Sequence, residues 1–115
     1  MNRIAALFCT LILAGCGADS VMDVGENIRN GKVKNGQTIE FEGEITKVND
    51  TEFSKSIFLM DGKDDELLHS AIAMVMDNVY GYAVGQKIKA ECTVMQYESD
   101  EKSAMVMVNQ CSVRK

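Results

Sequence analysis

The chain has 115 residues, with 17 acidic and 12 basic side chains and a net charge of −5. That length makes one small domain and not two. The acid excess argues against a general nucleic-acid binder, whose affinity comes mostly from Lys and Arg on phosphate, and against electrostatic adhesion to anionic lipid.

In chain order, the first predicted element is a leader. Residues 1–16 read MNRIAALFCTLILAGC. Arg3 supplies a positive start, and residues 4–14 form an apolar run of eleven, too short to span a bilayer and the right length for a signal peptide. Leu13-Ala14-Gly15-Cys16 resembles the lipobox of bacterial lipoproteins. The resemblance implies that residues 1–15 are cleaved, that the Cys16 thiol carries a diacylglycerol, and that the new amino terminus is acylated. Each acyl carbon buried in lipid contributes about 0.8 kcal/mol, so two or three chains hold firmly where one does not. The alternative is an ordinary secretory signal that leaves Cys16 as a thiol. Without Arg3 the chain keeps 11 basic and 17 acidic side chains, net −6. In enteric-type lipoproteins an aspartate directly after the cysteine favours inner-membrane retention. Gly17 stands there, so the resemblance implies a lipid anchor in the outer membrane facing the periplasm.

Residues 16–37 read as a lipidated tether, polar and glycine-bearing, with one short helical turn around residues 22–29. From residue 38 to 115 the pattern is β. TIEFEGEITKV, residues 38–48, alternates, with Ile39, Phe41, Gly43 and Ile45 on one face and Glu40, Glu42, Glu44 and Thr46 on the other. Gly43 in mid-strand predicts a bend or a close backbone approach. NDTEFSKS follows as a loop, SIFLM (56–60) as a second strand and DGKDDE as a turn. LLHSAIAMVM (67–76) is a third strand, with Leu68, Ile72, Met74 and Met76 on one face. DNVYGYAVGQ is a short connection with room for one helical turn. QKIKAECTVMQY (86–97) and AMVMVNQCSV (104–113) are the fourth and fifth strands, joined by the turn ESDEKS.

The fold class expected is therefore all-β, a five-stranded OB-fold-like barrel behind a leader and a tether. An immunoglobulin-like sandwich wants about seven strands. GQTIEFEGEITKV, VGQKIKAECTV and VMVNQC resemble the small secreted OB-fold proteins of the tRNA-anti-codon-like family. That resemblance covers residues 36–113 and implies the barrel. It implies nucleic-acid binding by fold kinship alone.

Of four cysteines, Cys9 leaves with the leader and Cys16 is taken by lipid. Cys92 and Cys111 remain as an even pair in an oxidising compartment. The midpoint of 92 and 111 falls between Glu101 and Lys102, inside ESDEKS. A hairpin about that turn sets the two cysteines opposite each other, within reach of a disulfide. Buried free thiols are the alternative reading.

No catalytic set is visible, so an enzyme is not expected, and no cofactor is called for. His69 is the sole histidine. The acidic turn Asp61, Asp64, Asp65 and Glu66 lacks the alternating oxygen ligands of a calcium loop. Methionine is abundant at eight residues. Met74-Val75-Met76 and Met105-Val106-Met107 each put two thioethers on one strand face. Such soft ligands suit Cu(I), and the pattern resembles the M-x-M strand of periplasmic copper chaperones with an OB barrel. Those proteins add a histidine and a tryptophan. Here there is no tryptophan, and Met60 or His69 would have to complete a set with Met74 and Met76. The competing reading makes Met74 and Met76 adaptable core fillers.

The function expected is a membrane-anchored, non-catalytic binding module for an envelope protein, a peptide or a small ligand. OB barrels bind across their second and third strands and the flanking loops. The loop residues on offer are Phe53, Lys55, Glu98, Asp100, Glu101 and Lys102, a mixed and acid-leaning set. The alternatives are a Cu(I)-binding OB protein and a nucleic-acid binder. The latter would need a basic groove with stacking aromatics.

Overall fold

The computed structural model describes residues 18–62 and 69–114. It is mostly sheet with one short helix. In chain order the elements are β1 (Asp19–Ser20), α1 (Val21–Arg29), β2 (Thr38–Glu44), β3 (Lys47–Asp50), β4 (Lys55–Gly62), β5 (His69–Val75), β6 (Lys87–Ser99) and β7 (Ser103–Arg114). One curled sheet runs β1-β2-β6-β7-β5-β4-β3. The β1–β2 and β5–β7 pairs are parallel, and the others are antiparallel.

The all-β expectation holds, whereas the count of five strands becomes seven among the described residues. Part of the difference is the run expected over residues 38–48, which changes partners midway. Ile45 N–H donates to the Gln86 carbonyl and Ile45 C=O accepts from Gly85 N–H, which continues the β6 side. Thr46 N–H donates instead to the Phe58 carbonyl on β4. The backbone thus hands over from β6 to β4 between adjacent residues, so that β3 becomes one end of the sheet order while β2 lies near the other, between β1 and β6. The connection at residues 76–86 is made of turns, with no helix.

Alternation works as expected in β2, where Phe41 and the following Ile45 are fully buried while Glu40, Glu42 and Glu44 stay exposed. Ile57, Leu59, Ile72, Met74, Val94, Val106 and Val108 are among the residues that fill the interior with them. Met74 is therefore core, as one of the two sequence readings had it.

The tether expected over residues 16–37 is, from Asp19 onward, built into the domain. Val21, Val24 and Ile28 recur at i, i+3 and i+7 and form a buried stripe. Ser20 caps the helix. Its hydroxyl accepts from Asp23 N–H, and the Asp23 carboxylate accepts from Ser20 N–H, a reciprocal capping box. Two glycines let α1 sit deep in the concave side. A Cβ on Gly25 would lie 1.8 Å from Ser70 Oγ and 2.7 Å from Ser70 Cβ. A Cβ on Gly43 would lie 2.9 Å from Val21 Cγ2 and 3.0 Å from Leu59 Cδ2. Gly43 is thus a close-approach glycine, one of the two roles its sequence position predicts.

The Cys92–Cys111 disulfide is present, with Cα atoms 4.2 Å apart. Two bulges lie between the turn and the bridge and cancel in register. Pairing runs Ser99↔Ala104 and Tyr97↔Val106, slips by one residue between Val94 and Gln96, and slips back between Glu91 and Thr93. Gln110, at φ 52°, is the left-handed residue of the second bulge. It reverses the facing of β7, so Cys111 and Val113 pack against the core that Val106 and Val108 line higher up.

Candidate functional site

The outer face of β4, β5, β7 and β6 carries a second, exposed set of apolar side chains. The ladders align Met60, Ala71, Met105 and Glu98 as one row across the four strands. Phe58, Ala73, Met107 and Gln96 make the next row. The central strand β5 contributes only small methyls here, Ala71 and Ala73, flanked on both sides by long side chains. Ala73 is nonetheless buried, at 4% exposure, because the larger residues on either side cover it. Met60 is 51% exposed and Met105 36%. Lys47 lies over the Phe58 ring at 5.7 Å and closes the far edge of this surface.

At the end of these strands lies a cleft of about 750 Å³. Its described lining includes Met60, His69, Ala71 and Met105, with three carboxylates, Asp61, Glu98 and Asp100, and no Lys or Arg. Ser70 also lines it, but its Oγ faces Gly25 on α1 and is buried without a hydrogen-bond partner. Arg29 reaches this end from α1. One guanidinium nitrogen donates to the His69 carbonyl at 3.0 Å, while Nε is buried and unpartnered.

Asp100 organises the turn between β6 and β7. One carboxylate oxygen accepts from Lys102 N–H at 2.8 Å, Ser103 N–H at 2.8 Å and the Ser103 hydroxyl at 3.1 Å. These backbone bonds, then the Ser103 hydroxyl and the nearby Arg29 charge, hold its pKa below the ordinary carboxylate range. Asp19 shifts the other way, raised by burial and then by Asp23 and Glu40.

The loop residues expected to bind are not brought together. Phe53, 93% exposed, and Lys55 sit at one end of β4, beside the Val75 end of β5. Glu98, Asp100, Glu101 and Lys102 sit at the other end, beside His69. Lys55 is engaged locally by Asp50 at 2.8 Å, and Asp100 is occupied by its own turn. The metal set Met60, Met74 and Met76 is likewise dispersed. Met74 is fully buried inside the sheet and Met60 points outside. Sequence reading missed Ala71 and the pairing of Met60 with Met105 across it, because that pairing depends on the parallel β5–β7 ladder. Cys16, Asp64, Asp65, Glu66 and Leu68 lie outside the described residues.

No family model and no curated protein matches this chain. The site stands on its geometry. Among the described residues there is no cluster of three His, Cys, Asp or Glu side chains able to hold a metal, and no helix is long and apolar enough to cross a membrane.

Proposed function

We propose that this chain is a lipid-anchored envelope protein whose curled sheet is an OB-like barrel, and that it acts as a non-catalytic binding module through the outer face of β4, β5 and β7. In this reading β2 and β3 are two halves of one bent first strand, and β4, β5, β6 and β7 are strands two to five. Three features support it: the handover at Ile45 and Thr46, the parallel pairing of strands three and five, and the antiparallel pairing of strands four and five. Cys16 in its lipobox is the anchor, with the periplasmic side of an outer membrane as its address.

The observation that carries the binding role is the row Met60–Ala71–Met105, two exposed methionines flanking a small methyl, which ends at Glu98 and is bordered by the acid-lined cleft. Exposed methionines that can re-pack suit the binding of varied partners. The acidic border favours a protein, a peptide or a cation over a nucleic acid. Ala71→Arg tests this, since it puts a long charged side chain at the centre of the face without touching the core. Ligand recovered from envelope extract by the wild type and lost with Ala71→Arg, at unchanged circular dichroism, is the expected result. Equal recovery by both proteins would refute the role of this face.

A further inference from the structure

We infer that the outer face carries a soft-cation site for Cu(I), built from the thioethers of Met60 and Met105 and the imidazole of His69 around the Ala71 methyl. The inference rests on the binding face just described and gives it a ligand class.

The placement follows from the ladders. Met60 and Met105 flank Ala71 directly, on β4 and β7. Their backbones are two strand spacings apart, about 9.6 Å. Ala71 is small, so two flexible side chains can lean towards each other above it without meeting a third. His69 precedes Ala71 by two residues on the same strand and so shares its face. It pairs with Ser103, two residues before Met105, which makes His69 and Met105 diagonal neighbours at about 7–8 Å, within reach of long side chains. His69, Met60 and Met105 all line the one cleft.

Two further observations point to a cation and to its softness. Glu98 lines the same cleft and stands in register with Met105, so a carboxylate that favours positive charge lies beside the thioethers. Met60 and Met105 are both exposed, although core positions remain the usual place for this residue. Thioether and imidazole together suit Cu(I) over Mg²⁺ or Ca²⁺, which want oxygen. The set is cross-strand. It is not the Met74–Met76 pair, whose first member is sealed in the core.

The test titrates the full chain in detergent micelles with Cu(I) held by a chromophoric chelator, using ascorbate so that the disulfide stays intact. The expected result is withdrawal of one Cu(I) per chain, with the methyl resonances of Met60 and Met105 shifting and that of Met74 unmoved. Met60→Leu and Met105→Leu should each weaken binding at least tenfold. Met95→Leu, an exposed methionine outside the set, and Met74→Leu should leave it unchanged. No withdrawal of Cu(I) would overturn the site, as would full affinity in Met60→Leu and Met105→Leu or an equal loss in Met95→Leu. The titration contains no partner protein, so its failure is separate from that of the Ala71→Arg recovery experiment.

Discussion

Replacing Gly25 by Ala measures how firmly the helix is seated. On a solvent-facing helix the change would stabilise by about 1 kcal/mol, because alanine loses less backbone freedom on folding. Here the new methyl meets Ser70 Oγ at 1.8 Å and Ser70 Cβ at 2.7 Å. The hydroxyl can rotate away, but the Cβ is fixed to the backbone of β5, so helix and strand must part. Overpacking of this kind costs about 1–3 kcal/mol. With contacts this short the upper part of that range applies, and the net loss is about 2 kcal/mol after the propensity gain. In urea, with a slope of about 1–3 kcal/mol/M for a small protein, the midpoint should fall by about 1 M at unchanged slope. A double-mutant cycle isolates the contact. Ser70→Gly removes both clashing atoms along with the unpartnered hydroxyl. Gly25→Ala should then cost far less in the Ser70→Gly background, a coupling of about 1–3 kcal/mol. If Gly25→Ala raised the midpoint by the propensity gain alone, α1 would not be packed on β5 and the account of the buried helix would fail.

Three other outcomes follow from the same structure. Cys92→Ser should lower stability by about 3 kcal/mol in the chain-entropy model and free one thiol at Cys111; two titratable thiols in the oxidised, denatured wild type would refute the bridge. Asp100→Asn should be less stable than wild type at neutral pH. The folded pKa is depressed, so the carboxylate's contribution is present above its unfolded value and is lost as pH falls through the lower folded one; the gap between the two urea midpoints should close in acid, and a gap independent of pH would show that charge plays no part. Cys16→Ser should abolish membrane association and acyl labelling; a mutant that still pellets with membranes in high salt would remove the lipid anchor from the proposal.

Much of the strand pattern was legible because alternation is local. A strand that buries one face repeats with period two, and Phe41, Ile57, Leu59, Ile72 and Val106 obey that rule in their own neighbourhoods. The helix was only half legible. Val21, Val24 and Ile28 carried its stripe and Ser20 with Asp23 its cap, yet the glycines around them read as a tether. What made Gly25 a packing residue was Ser70, 45 positions away in the chain.

The disulfide shows the division most sharply. Its pairing followed from the midpoint of residues 92 and 111, as though β6 and β7 made a regular hairpin. They do not: one slip near Met95 is cancelled by another at Gln110, so the count survives two errors of opposite sign. Sequence alone determined the apolar run that ends in Leu-Ala-Gly-Cys, the β periodicity, the spacing of Cys92 and Cys111 and the acid excess, since each is a property of neighbouring residues or of composition. Tertiary structure decided which methionines are inside and which are out. Met74 and Met105 stand in nearly identical M-x-M contexts, and only the facing of β5 and β7 in the sheet buries the first and sets the second on the surface opposite Met60.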